Sequence, residues 1–172
     1  MKTLHIPPYL KSYAHDLAVI RIKDNKDRYK DTHKHRPGYK KSLLLGSVSR
    51  EYYTEYVGIL GELLVRHYLE TSGEVIRYTA STLIKKGTNI TDDSDIVAYS
   101  LETSYRISIK TCEQTFKANK KAMDSEECDI VLFIKFASSE TYTLAHFKPS
   151  QVRSWKVVEK AFSPYYELPA DT

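Results

Sequence analysis

Residues 129–136 (DIVLFIKF) constrain this fold more than any other stretch of the chain. They are near-continuously apolar with no period-two alternation, the pattern of a strand covered on both faces. Such a strand needs a layer above and below its sheet. One layer is offered upstream, where Tyr53, Tyr56, Val57, Leu60, Leu64, Tyr68 and Leu69 recur at spacings of three and four. That period marks a helix over about 47–72 with one buried face. Ser47 or Ser49 stands where an N-cap belongs, and Tyr52, not Glu, follows three residues after Ser49, so no capping box is expected. Gly73 is placed to end the helix.

Beyond Gly73 the period changes. Residues 74–79 (EVIRYT) form a short β-like run, 85–94 are turn-rich, and 95–99 (DIVAY) read as a second strand. Residues 105–112 (YRISIKTC) alternate strictly at Tyr105, Ile107 and Ile109, and 141–147 give one more strand. Residues 115–127 lean helical, Pro149 opens a short helix as an N1 proline, and the tail after Pro164 reads as irregular. The order predicts an α/β fold with a central mixed β-sheet flanked by helices. Before residue 47, Leu17–Ile20 offer a short strand or a helix turn, and 23–41 are almost wholly polar around a Pro37-Gly38 turn signal. The chain thus divides into a basic N-terminal extension over 1–46 and an α/β domain over 47–172.

At 172 residues the chain suits one domain of ordinary size. Its net charge of +4 is unevenly spread: residues 1–50 hold 12 Lys and Arg against four Asp and no Glu. A basic segment of this kind fits a polyanionic partner, and equally a solvated surface with none. No apolar run approaches the roughly 20 residues that span a bilayer, and the start lacks a signal-like apolar core. The expectation is a cytoplasmic protein with no membrane partner. Cys112 and Cys128 are too few for a zinc ribbon and read as small packing residues.

Lys110 is the residue a purely structural account explains least. It ends an apolar alternating strand where Val or Thr would serve, and it points the same way as Ser108. A lysine beside the carboxylate of a neighbouring strand end, here Asp95, can act on phosphate. The carboxylate gives a divalent cation a hard oxygen, and the ammonium orients a water and offsets developing charge. The alternative for Lys110 is a strand-edge gatekeeper against aggregation.

Three features in this order resemble the PD-(D/E)XK nuclease superfamily, which includes restriction endonucleases. They are Gly58-Ile-Leu-Gly61-Glu62 in the helix, Asp95 before Ile96-Val97, and Ser108-Ile109-Lys110 followed by Thr111. The resemblance covers about 49–136 and implies a restriction-endonuclease-like αβββαβ core. It also implies a catalytic set of Glu62, Asp95, Ser108 and Lys110, with Mg²⁺ or Mn²⁺ held by Asp95 and Glu62. One departure is Ser108, where the superfamily usually has an acidic residue. Some restriction enzymes share that serine and draw the missing carboxylate from the following helix, where Asp124, Glu126 and Glu127 lie here.

The leading expectation is therefore a Mg²⁺-dependent deoxyribonuclease. DNA, with RNA as the alternative, would be held by Lys23, Lys26, Arg28, Lys30, Lys34, Arg36, Lys40, Lys41, Gln114 and Lys117. A homodimer would supply two sites for cutting both strands. Two rivals stay open: a catalytically degenerate nucleic-acid-binding domain of the same fold, and an α/β protein-interaction domain.

Overall fold

A computed structural model describes residues 1–24, 38–72, 77–80, 96–99, 103–160 and 163–168. In chain order these form β1 (Lys2–His5), α1 (Pro8–Asp24), β2 (Tyr39–Ser42), β3 (Gly46–Ser49), α2 (Arg50–Ser72), β4 (Arg77–Ala80), β5 (Ile96–Tyr99) and β6 (Ser104–Cys112). Then follow β7 (Lys117–Asn119), α3 (Lys120–Ser125), β8 (Ile130–Phe136), β9 (Thr141–Phe147), α4 (Pro149–Arg153), β10 (Lys156–Val158) and β11 (Tyr165–Glu167). The architecture is mixed α/β, as the order of periods implies.

The main sheet runs β1-β9-β8-β6-β5-β4. Among the described strands only β6 and β8 pair in parallel, with α3 in the connection between them. β8 sits inside this sheet with Val131, Leu132, Phe133, Ile134 and Phe136 all buried. Alternation sends Leu132, Ile134 and Phe136 into one core and Val131 and Phe133 into another, which is why the run shows no period of two.

The first core lies under α2. Ser49 Oγ accepts the Tyr52 N–H at 3.2 Å and caps this helix, without a capping box. Besides the expected face, Ile59, Leu63 and Val65 are also buried. They are covered because α2 packs against α1 as well as the sheet. α1 presents Leu10, Ala14 and Ala18 at intervals of four, and the two alanines are wholly buried. β1 pairs with β9 from Lys2↔Leu144 to His5↔Thr141. The described residues ahead of 25, which the sequence reads as part of an extension, therefore share the core of the main domain.

The second core lies on the opposite face of the sheet. Phe133, Phe147 and Trp155 meet there, with the Phe147 and Trp155 rings 5.0 Å apart and nearly perpendicular. Its cover differs from the sequence expectation. The helical lean over 115–127 resolves into β7 and a short α3, because the Asn119 side chain accepts the Ala122 N–H at 3.0 Å and starts the helix there. The Pro149 helix ends at Arg153, and just after Pro164 the described residues form a strand, β11, with Tyr166 buried and β11 paired to β7 and β10. β2 and β3 form a hairpin, β2 at the end of the expected polar loop and β3 largely where the helix was expected to begin, so that the helix starts at Arg50. Gly46 takes a φ of +68° at its turn, and Ser42 Oγ accepts the N–H groups of Leu44 and Leu45. Among the described residues no helix is long and apolar enough to cross a membrane.

Candidate active site

β6 divides the proposed residues between its two faces. Ile107 and Ile109 pack into the α2 core, and a Cβ built on Gly61 would meet the Thr111 methyl. By alternation Ser108, Lys110 and Cys112 project from the other face, toward α3 and α4. Gly61 thus serves the close approach of α2 to β6, and that approach fixes which strand residues remain free to face the second side.

On that side Lys110 Nζ donates to Glu126 Oε2 at 2.8 Å. The pair is largely shielded, with side-chain exposures of 20% for Lys110 and 13% for Glu126. Glu126 is the residue at which α3 turns from helix to extended chain. Arg153 holds this corner, its guanidinium donating to Met123 O at 2.9 and 3.1 Å and to Glu126 O at 3.2 Å. Two residues before Lys110, Ser108 is fully buried, and its Oγ has no hydrogen-bond partner among the described residues. A buried hydroxyl left so costs about 1–3 kcal/mol, the kind of cost a functional site carries.

The other sequence candidates fall elsewhere. Glu62 lies on α2, on the Ile109–Thr111 face, with its Oε2 shielded from solvent. The structure therefore brings Lys110 to Glu126 and places Glu62 across the sheet. Asp124 accepts the Tyr166 O–H at 2.7 Å and pairs with Lys120. The Lys120 hydrogen bond first, and the Tyr166 bond second, hold its carboxyl below the ordinary aspartate value. Glu127 pairs with Arg106 at 3.3 Å. Of the three carboxylates that follow β7, only Glu126 meets Lys110. Lys23 is exposed at the end of α1. Asp95, Lys26, Arg28, Lys30, Lys34 and Arg36 lie outside the described residues.

Lys40, Lys41, Gln114 and Lys117 come together instead around a cleft of about 410 Å³ at the carboxyl end of β6. Glu113, which the sequence gave no reason to single out, lies in that cleft and accepts the Ser42 hydroxyl. Burial first, and then the Glu113 charge, push the neighbouring Tyr53 hydroxyl well above its usual range. Lys40 Nζ stands 3.5 Å over the Tyr53 ring.

Among the described residues no three His, Cys, Asp or Glu side chains gather into a metal-binding group. Glu126 and Ser108 nevertheless supply two oxygens beside Lys110. Mg²⁺ is commonly held by one or two carboxylates completed by water and substrate phosphate, so one further carboxylate would suffice. The chain matches no protein-family model, no curated protein and no solved structure.

Proposed function

We propose that this protein is a metal-dependent endonuclease hydrolysing phosphodiester bonds in DNA, a divergent relative of the PD-(D/E)XK nucleases. Its centre comprises Asp95, Ser108, Lys110 and Glu126. The observation that carries this reading is the shielded Lys110–Glu126 pair beside the buried Ser108 hydroxyl, which has no partner among the described residues. The order α2-β4-β5-β6-β7-α3-β8 supports it, since apart from the three-residue β7 it follows the αβββαβ order that the resemblance implies.

In this reading Glu126 stands in for the acidic residue that Ser108 replaces. The Lys110 ammonium, oriented by Glu126, positions the attacking water and offsets the charge that develops on phosphate. Asp95 and Glu126 would hold Mg²⁺, which when bound polarises the phosphate and lowers the pKa of its water. Cleavage of supercoiled plasmid with Mg²⁺ or Mn²⁺ tests the reading. Wild type should nick or linearise it, and Asp95→Ala and Lys110→Ala should not, with folding intact by circular dichroism. Absence of cleavage by wild type under both metals would refute it.

A degenerate, binding-only relative is the second reading, favoured by Ser108 standing where the superfamily usually has an acidic residue. It expects DNA binding that is indifferent to metal.

A further inference from the structure

The cleft at the carboxyl end of β6 is bounded by the β2–β3 hairpin, the first turns of α2 and the β6–β7 turn. Lys40, Lys41 and Lys117 line it, and Arg50 stands close enough to act on Lys40. Two carboxylates face these cations, and both are engaged. Glu113 accepts from Ser42, while Glu167 accepts from Thr115 at 2.8 Å and pairs with Lys117 at 3.3 Å. The balance left over is positive. Burial chiefly pulls the Lys40 pKa down; the Glu113 carboxylate opposes this, and the charges of Arg50 and Lys117 add to it.

We propose that this cleft seats the phosphodiester backbone of a DNA strand, with Lys41 and Lys117 as its phosphate contacts. Three observations favour a strand over a free anion. At about 410 Å³ the cleft is open and larger than one phosphate needs. Tyr39, on the same strand as Lys40 and Lys41, is 76% exposed and offers a flat ring against which a base can stack. Cys112 lines the cleft and lies two strand residues from Lys110, about 7 Å along β6. A backbone seated there passes the end of the strand that carries Lys110. The inference rests on the nuclease reading for the identity of its ligand.

The test is anisotropy of a labelled DNA duplex, titrated in EDTA from about 50 to 200 mM salt. Wild type is compared with Lys41→Gln/Lys117→Gln and with Lys11→Gln/Lys148→Gln, which lies away from the cleft. Loss of two phosphate contacts should lower the slope of log K on log salt by about 1.8, with the control pair unchanged. An unchanged slope in the cleft variant would overturn the proposal, as would an equal fall in the control or no binding by wild type. Inorganic phosphate binding as tightly as the duplex would overturn the strand assignment. The two readings fail separately. Cleft-dependent binding without cleavage would refute the nuclease, whereas cleavage with an unaltered slope in the cleft variant would refute the cleft.

Discussion

Gly61 of α2 and Thr111 of β6 approach so closely that a Cβ on the glycine would collide with the Thr111 methyl. In an open helix, Gly→Ala gains about 1 kcal/mol. Here the alanine methyl has no space, and overpacking of a core costs about 1–3 kcal/mol. Gly61→Ala should therefore destabilise the protein, lowering Tm by about 2–4 °C per kcal/mol in a chain of this size. Adding Thr111→Ser, which removes the opposing methyl, should return most of the loss. Thermal melts that show Gly61→Ala alone to be stabilising would contradict the close approach.

The Lys110–Glu126 pair gives a second prediction, on stability. Each partner is largely out of water, so removing one leaves the other shielded and unpaired. Lys110→Met and Glu126→Gln should each lower the urea midpoint. Combined, they should cost less than the sum of the two, with a coupling of about 0.5–3 kcal/mol. Strict additivity would mean that the two side chains do not interact in solution.

The sequence made some of this architecture legible and hid the rest for physical reasons. α2, β8 and β9 were readable because each is a long run with one clear pattern of burial. α1 was not. Its core-facing residues include small alanines at 14 and 18, while Tyr9, Tyr13, Val19 and Ile20 are exposed on it, so no single apolar face stands out. The hairpin was masked by the lysines of β2, since its turn depends on Gly46 and the Ser42 hydroxyl rather than on apolar alternation. At the site, Lys110 was conspicuous as a cation on an apolar strand. Its partner was not, because a pattern of spacing cannot say which of Asp124, Glu126 and Glu127 turns inward. That is decided by where α3 ends and by Arg153, which fixes the corner.

Acid should loosen the joint between β6 and β8. The Asp129 carboxylate accepts the Arg106 backbone N–H at 2.7 Å, with a further contact to the guanidinium. The backbone bond first, and the guanidinium second, hold its carboxyl below the ordinary 3.8. A carboxyl depressed on folding contributes stability fully above its unfolded value and loses it as pH falls through the folded one. The urea midpoint should thus drop as pH is lowered below 3.8, and drop less steeply in Asp129→Asn. Parallel curves for the two proteins would remove Asp129 from the account.

Both thiols should be sluggish. Burial pushes Cys112 and Cys128 up to about 11. At pH 8 their thiolate fraction falls about a hundredfold below that of a thiol at 9. A disulfide reagent should therefore modify the native protein slowly and the guanidine-unfolded protein at once. Rapid labelling of either cysteine in the native state would contradict its burial.

The most direct test of the central claim compares Glu126→Gln with Glu62→Gln in Mg²⁺-dependent plasmid cleavage, each verified as folded. Placing the working carboxylate beside Lys110 predicts that Glu126→Gln loses about a hundredfold or more in rate, while Glu62→Gln stays close to wild type. The reverse, with Glu62→Gln inactive and Glu126→Gln active, would contradict the account and return the site to the α2 face of the sheet.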